Sequence, residues 1–161
     1  NDYVNAGSPA SLNIARNFTI SAWIYRMADS GNWERIVAKS DSSNYDYWLQ
    51  ITPSDKLGGG FVNTAGNNNN IDTSSQITGT NIPLNQWVHV AMVFNGVNLT
   101  GYYNGNIDRY APTSGNPRTS NRPVRVGRLL NTYGFAGKID DVRIYNRSLS
   151  SQEVMTLYTS S

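Results

Sequence analysis

Apolar and polar residues alternate along many short segments of the chain, a pattern that indicates strands with one buried face. In residues 18–25 the apolar side chains of Phe18, Ile20 and Ile24 fall on one face, because successive side chains of a strand point to opposite faces. Turn-forming Gly, Asn, Asp and Ser separate such segments at intervals typical of a sandwich or barrel. We expect further strands over residues 35–39, 45–51, 61–62, 86–94, 99–103, 107–110, 124–127 and 137–145.

Glycine marks the expected turns. Asn95-Gly96 and Asn104-Gly105 each follow a predicted strand, and Asn-Gly accepts positive φ at both central positions of a tight hairpin. Residues 86–110 are therefore expected to form a three-stranded antiparallel meander. The run from Gly58 to Gly60 precedes the segment 61–62 and indicates a bend, or a close approach of another backbone.

The end of the chain has a helical pattern. Ser150 and Glu153 have the spacing of a capping box, and Leu149 with Val154 can form the hydrophobic staple around it. We expect one short helix over residues 151–158, packed through Val154 and Leu157. No internal repeat is present, which argues against a solenoid or a propeller.

Composition supports an all-β protein. The length of 161 residues suits one domain, which we take to span residues 1–161. The 21 Asn and 14 Gly favour loops, and the ten Tyr and four Trp suit strands. A net charge of +2 argues against a nucleic-acid partner, and no apolar run approaches the roughly 20 residues of a membrane span. The absence of Cys favours an exported protein whose core needs no disulfides.

Three stretches together carry a family resemblance. They are Tyr3-Val4 through Ser11-Leu12 to Phe18–Trp23, then Trp87–Ala91 with Tyr103-Asn-Gly105, and finally Phe135–Tyr145 followed by Leu149-Ser150 and Glu153-Val154. In order and spacing the set resembles the laminin G-like (concanavalin A-like) jelly-roll family over essentially the whole chain. Family members usually have Tyr-x-Asp-Gly where this chain has Tyr-Asn-Gly. The resemblance implies two antiparallel sheets packed face to face, one of them concave. The expected fold class is thus an all-β, two-sheet antiparallel jelly-roll sandwich with one short C-terminal helix.

The resemblance leaves two function classes open, because fold does not fix function. Domains of this family serve as carbohydrate-binding modules, as adhesion modules and as protein-interaction modules. Our first hypothesis is a carbohydrate-binding module that takes a polysaccharide at the concave sheet or its loop rim. The second is an adhesion or protein–protein interaction module without sugar specificity. In either case we expect an extracellular or cell-surface location and attachment to a larger parent protein.

The acidic residues argue against an enzyme. Glycoside hydrolysis needs paired carboxylates, and the only glutamates, Glu34 and Glu153, are far apart in sequence. The Glu-x-Asp-x-Glu motif of jelly-roll glycosidases and the Gln-Ile-His motif of jelly-roll alginate lyases are absent. Asp140 and Asp141 are adjacent, and alternation is expected to turn them to opposite faces. His89, the only histidine, lies inside an alternating strand and is expected to be structural.

Calcium is the one cofactor that the resemblance implies. In many jelly-roll modules a structural calcium bridges the N-terminal strand region to the last strand, and the matching residues here are Asp2 and Asp140. Such a site would combine these carboxylates with backbone carbonyls. The alternative is that Asp140 or Asp141 pairs with Lys138 or Arg143, or caps a loop.

A sugar site needs flat aromatic faces beside planar polar groups. Residues 45–51 interleave the two kinds, with Tyr47 on one face and Asp46 and Trp48 on the other. The predicted ligand-binding residues are Trp33, Asp46, Trp48, Arg128, Asn131 and Tyr133, and residues 67–70 are further loop candidates. The alternative is that these aromatic residues belong to the core, as we expect for Trp23 and Trp87.

Five arginines stand in a stretch without any acid: Arg109, Arg118, Arg122, Arg125 and Arg128. Guanidinium groups bind carboxylates and sulfates bidentately, so the polysaccharide could be acidic. The alternative, which we favour, is a solvated loop that contributes to the basic pI of about 8.9.

Overall fold

The computed structural model describes residues 2–41, 44–72, 79–128 and 133–160. In these residues the chain forms eleven strands, a short 3₁₀ turn over Ala10–Leu12 and one α-helix. The strands are β1 (Val4–Gly7), β2 (Phe18–Arg26), β3 (Glu34–Ser40), β4 (Tyr45–Ile51), β5 (Leu57–Val62), β6 (Asn68–Asn70), β7 (Trp87–Phe94), β8 (Asn98–Tyr103), β9 (Asn106–Pro112), β10 (Val124–Val126) and β11 (Gly137–Tyr145). The helix α1 spans Ser151–Thr159.

The strands pair into two antiparallel sheets. The six-stranded sheet has the order β1-β10-β3-β4-β5-β6, and the five-stranded sheet has the order β11-β2-β7-β8-β9. Side chains from the inner faces of both sheets form one apolar core. The fold is therefore a β-sandwich, as predicted.

Aromatic rings join the two sheets at the centre of the core. Phe18 and Phe94 come from the five-stranded sheet, and Tyr47 and Phe61 come from the six-stranded sheet. The ring centroid of Phe18 lies 5.9 Å from that of Tyr47, and the centroid of Phe61 lies 4.5 Å from that of Phe94. All four side chains are fully buried, so each adds a large hydrophobic contribution to the sandwich.

The predicted meander and helix are confirmed. Strands β7, β8 and β9 pair in succession. Ser150 accepts a hydrogen bond from the backbone N–H of Glu153, and the Glu153 carboxylate accepts one from the Ser150 N–H. Helix α1 packs on the outer face of the five-stranded sheet, where Leu149 and Val154 contact Tyr102 and its neighbours. No helix in the described part of the chain is long and apolar enough to cross a membrane.

Three strands differ from the predictions. Strand β5 begins at Leu57 and includes the three glycines, at which the sequence predicted either a bend or a close approach of another backbone. The predicted close approach is confirmed, because a Cβ on Gly60 would overlap the carbonyl oxygen of Asn69. Strand β6, which consists of three asparagines, replaces the loop expected at residues 67–70, and the pattern did not predict β1.

A β-bulge in β11 changes the position of its two aspartates. The pairing of β11 with β2 shifts between Asp140 and Arg143, and Asp141 has a positive φ of 46°. A bulge interrupts the alternation of faces. The expectation that Asp140 and Asp141 face opposite sides is therefore wrong, since both line the same pocket on the outer face of the five-stranded sheet.

Candidate functional site

A small cleft on the outer face of the six-stranded sheet combines aromatic and planar polar side chains. It has a volume of about 130 Å³. We call it the aromatic cleft, and its lining residues are Trp33, Arg35, Tyr45, Trp48, Gln50, Asn68 and Asp72.

Two β-bulges turn the cleft residues of β3 and β4 outward. Arg35 pairs with Gln50 and Val37 pairs with Leu49, so Ile36 is an extra residue on β3. Lys39 pairs with Tyr47 and Ser40 pairs with Tyr45, so Asp46 is an extra residue on β4. A single extra residue moves the following side chains to the other face of the sheet.

These shifts bring the rings of β4 together on the outer face. Tyr45 lies edge-on to Trp48, with 5.5 Å between ring centroids, and both pack on Ala38 and Val62. Tyr47, between them in sequence, points into the core. Tyr47 and Trp48 thus lie on opposite faces of β4, as predicted, and the structure shows that Tyr47 is on the core side.

A buried ion pair holds the loop that carries Trp33. The guanidinium of Arg26 donates to both carboxylate oxygens of Glu34, and Arg26 is only 2% exposed. Arg26 also donates to Asp29 at 2.8 Å and to Asp55 at 2.7 Å. The loop between β2 and β3 is thereby tied at both ends, and the half-buried ring of Trp33 is positioned over the cleft.

The glycines of β5 make room for Asp72. A Cβ on Gly58 would overlap Oδ1 of Asp72. That oxygen accepts hydrogen bonds from the Gln50 amide and from the Gly59 N–H, each at 2.8 Å. Burial raises the pKa of Asp72 above its usual value, although both hydrogen bonds act in the opposite direction.

Arg35 lies at the back of the cleft between two tyrosine rings. Its guanidinium carbon is 5.0 Å from the ring centroid of Tyr45 and 5.5 Å from that of Tyr133. Arg35 is 7% exposed, and its Nε and Nη1 groups have no hydrogen-bond partner among the described residues. Oε1 of Gln50 is likewise unpaired there. Two residues that line the cleft therefore have buried, unpaired polar atoms: two donors on Arg35 and one acceptor on Gln50.

The structure brings together three of the predicted ligand-binding residues. Trp33 and Trp48 line the aromatic cleft, and Tyr133 covers its arginine. Arg128 is half-buried beyond the end of β10 and is not among the lining residues. Asn131 lies outside the described residues.

Asp46 requires a correction. It is fully buried and does not line the cleft. Its carboxylate accepts hydrogen bonds from Arg122 at 2.8 Å, from Arg118 at 3.3 Å and from the Ser120 hydroxyl. The Asp46 carboxylate therefore accepts its hydrogen bonds from within the protein and holds residues 118–122 against β4. It is not accessible to a ligand.

Four of the five arginines, namely Arg109, Arg118, Arg122 and Arg125, are bonded within the protein and form neither a free cationic surface nor the solvated loop that we favoured. Arg109 is 4% exposed and donates to the carbonyls of Leu57 and Ile71. Arg118 and Arg122 bind Asp46 as described, and Arg125 donates to the Ser40 carbonyl at 2.9 Å. These hydrogen bonds attach the long connection between β9 and β10 to the six-stranded sheet. This role could not be predicted from the sequence, because the residues that accept these hydrogen bonds are distant in the chain.

A second pocket lies on the outer face of the five-stranded sheet beside α1. Trp23, Trp87, Asp140 and Asp141 line it, and we call it the indole trough, with a volume of about 330 Å³. The ring of Trp23 stacks on Tyr158 of the helix at 5.7 Å, which agrees with its predicted structural role. Trp87, expected to be structural as well, is 43% exposed.

The two predicted calcium ligands do not share a pocket. Asp2 lines a cleft beside Val126 and Gly137, whereas Asp140 lines the indole trough. Within the described ranges no group of three or more His, Cys, Asp or Glu residues could hold a metal ion. These two residues alone do not form a fitting site, and calcium binding stays a prediction.

Comparison with known proteins agrees with the geometry. The sequence profile of the family described as "Concanavalin A-like lectin/glucanases superfamily" (Laminin_G_3) matches residues 1–155. No curated protein sequence shows significant similarity to the chain.

Three solved structures illustrate the similarity in fold. The binding domain of Paraclostridial Mosquitocidal Protein 1 has a TM-score of 0.75 at 20% identity, and the match covers 99% of this chain and 41% of that one. The ligand binding domain of botulinum neurotoxin serotype D, in complex with N-acetylneuraminic acid, has a TM-score of 0.72 at 17% identity, covering 99% and 40%. Domain 4 of AbnA, a GH43 extracellular arabinanase from Geobacillus stearothermophilus in complex with arabinotriose, has a TM-score of 0.69 at 20% identity, covering 93% and 70%. The chain thus spans about two fifths of the toxin domains.

Proposed function

The chain belongs to the concanavalin A-like lectin/glucanase superfamily, and on this premise we propose that it is a non-catalytic carbohydrate-binding module that binds a polysaccharide at the aromatic cleft. The observation that carries the proposal is the grouping of Trp33, Tyr45 and Trp48 with the planar polar groups of Arg35 and Gln50. Aromatic faces suit the apolar faces of sugar rings, and planar polar groups suit their hydroxyls.

The state of the glutamates supports a non-catalytic role. Glu34 is fully buried in its ion pair with Arg26, and Glu153 is bound in the capping box and to Arg147 at 2.7 Å. Neither side chain is placed to act on a substrate with a second carboxylate, as glycoside hydrolysis requires.

The similar structures support the ligand class and the setting. The AbnA domain was solved with arabinotriose and the serotype D toxin domain with N-acetylneuraminic acid, so this fold accommodates sugars in other chains. The arabinanase is described as extracellular. We propose that this chain is likewise a module of a larger protein that acts outside the cell or at its surface.

A second candidate function is protein–protein interaction through the indole trough. The observation that favours it is the 43% exposure of Trp87 beside Trp23, since a large ring at the surface is typical of interfaces. The two functions use opposite faces of the sandwich, so single substitutions separate them.

A glycan array followed by calorimetry on Trp33→Ala and Trp87→Ala tests the proposal. The two variants form a matched pair, because each removes one accessible indole, Trp33 from the loop at the aromatic cleft and Trp87 from the five-stranded sheet. We expect the unaltered protein to bind at least one glycan, Trp33→Ala to weaken that binding by about tenfold or more, and Trp87→Ala to leave it unchanged. Sugar binding lost only in Trp87→Ala would move the site to the indole trough, and binding of no glycan would overturn the proposed function.

A further inference from the structure

Arg35 is a buried cation that has no directly bonded counter-ion among the described residues. It is 7% exposed, and in the described part of the chain neither an ion pair nor a hydrogen bond occupies its Nε and Nη1 groups. Two other buried cations, Arg26 and Lys39, are bonded within the protein, whereas the buried Arg109 also has one unpaired group, its Nε, among the described residues. Arg26 binds Glu34, Asp29 and Asp55, and Lys39 donates to two backbone carbonyls at 2.6 and 2.9 Å.

The neighbours of Arg35 stabilise its charge only in part. The ring centroids of Tyr45 and Tyr133 lie 5.0 and 5.5 Å from the guanidinium carbon of Arg35. Aromatic faces attract a cation, but they leave its N–H groups without hydrogen bonds. The charge of Asp72 acts on Arg35 across the cleft, while its Oδ1 is occupied by Gln50 and Gly59. Removing a guanidinium from water is costly unless it is paired and hydrogen-bonded.

The arrangement that remains favours a ligand with its own negative charge. An anionic group that enters the cleft would accept hydrogen bonds from the unpaired N–H groups of Arg35. The attached sugar ring would lie against Trp33 and Tyr45. Bonds between guanidinium and a carboxylate or sulfate are stronger than those to neutral acceptors. The arginines of residues 109–125 donate to carbonyls or carboxylates of the protein, and although Nε of Arg109 is unpaired, Arg109 does not line the aromatic cleft.

We infer that the aromatic cleft selects acidic glycans, and that Arg35 binds the carboxylate or sulfate of the sugar. The inference rests on the proposed function and specifies its ligand class. It assigns anion recognition to one buried residue of β3 and not to the arginine-rich connection.

The test compares acidic probes with a neutral one. Calorimetry compares tri-galacturonate with its methyl ester, which keeps the sugar but removes the charge, and adds a sulfated disaccharide to separate sulfate from carboxylate. We expect an acidic probe to bind about tenfold or more tightly than the ester, with a preference that falls between about 50 mM and about 300 mM NaCl.

Variants then assign the preference to a residue. Arg35→Met should remove the preference for the acidic probe, and Arg35→Lys, which keeps the charge, should retain part of it. Arg147→Met removes an exposed arginine near α1 and should change nothing. Thermal melts establish that each variant is folded, and if Arg35→Met does not fold, Arg35→Lys and Arg35→Gln decide.

The outcomes separate this inference from the proposed function. Binding of neutral glycans that depends on Trp33 but shows no preference for charge overturns the inference and leaves the proposed function intact. A preference that persists in folded Arg35→Met overturns it too. Absence of binding to any glycan overturns both.

Discussion

Arg26 and Glu34 form an ion pair that is sealed from solvent at one end of the sandwich. Nη2 of Arg26 lies 2.8 Å from Oε1 of Glu34, and Nε lies 3.1 Å from Oε2. Arg26 belongs to β2 of the five-stranded sheet and Glu34 to β3 of the six-stranded sheet. The pair therefore connects the two sheets and fixes the loop with Trp33.

Arg26→Met is expected to lower the free energy of unfolding by about 3–5 kcal/mol, because the Glu34 carboxylate would remain buried without a cationic partner. The measurement is urea unfolding. The double variant Arg26→Met/Glu34→Met should recover part of the loss, since an apolar pair of similar size has no charge to desolvate.

Arg147→Met is the matched control for this prediction. Its pair with Glu153 is exposed, with 55% and 44% of the side chains accessible, so its loss should not move the unfolding midpoint. Equal losses in the single and double variants of the buried pair would contradict the account given for Arg26.

His89 should make the protein less stable in acid. It is 2% exposed, and burial lowers its pKa to about 4, with the nearby charges of Asp141 and Arg143 acting in opposite directions. In the unfolded chain the imidazole takes up a proton near pH 6.5. The unfolded state therefore binds more protons as the pH falls from about 6.5 to about 4, and the free energy of unfolding decreases by up to roughly 3 kcal/mol.

Urea unfolding of the unaltered protein and of His89→Gln between about pH 7 and pH 4 measures this effect. The comparison isolates His89, because other groups titrate alike in both proteins. Among them is Asp72, whose raised pKa acts in the opposite direction. We expect the stability difference between the two proteins to shift in favour of the variant at low pH, and parallel profiles would refute the prediction.

Gly58→Ala should damage the aromatic cleft without touching its rings. The added Cβ would overlap Oδ1 of Asp72 and lie 2.9 Å from Cγ2 of Thr52. Displacing the carboxylate breaks its bonds with Gln50 and Gly59, so we expect weaker glycan binding and a loss of about 1–3 kcal/mol in the free energy of unfolding.

Gly134→Ala is the control for this substitution, because a Cβ there meets nothing within 4 Å. Calorimetry and urea unfolding of both variants provide the comparison. If Gly58→Ala behaves like Gly134→Ala, the glycines of β5 are not needed to seat Asp72.

Calcium binding can be tested by its effect on stability. The family resemblance predicts that EDTA lowers the melting temperature and that added calcium restores it, because a ligand bound only by the native state stabilises that state. Asp2→Asn and Asp140→Asn should each weaken the response if both residues bind the ion. Melting temperatures indifferent to EDTA and calcium would exclude the site.

Regular alternation allowed much of the fold to be predicted. Strands β2 and β7 pair residue for residue without a shift. Phe18, Ile20 and Ile24, which the pattern placed on one face of β2, all lie in the core. The Asn-Gly turns and the capping box depend on residues that are neighbours in sequence, so they could be predicted as well. The sequence therefore predicted those elements whose structure depends on nearby residues.

The cleft was only partly predictable, because its remaining residues depend on irregular pairing. Arg35 looks like any residue of a strand until the bulge at Ile36 is known, and Tyr45 would face the core without the bulge at Asp46. Asp72 reaches the cleft through β6, whose three asparagines carry no strand signal. Asp46 was misassigned because its partners lie more than 70 residues away.

The two bulges also govern how this site should be traced in relatives. In a homologue that lacks the counterpart of Ile36 or of Asp46, the residues of the strand beyond the bulge would be misaligned by one position with those of this chain if the alignment had no gap. Transfer of binding residues between homologues therefore demands gaps at those two positions, and conservation measured without them would assign core residues to the surface.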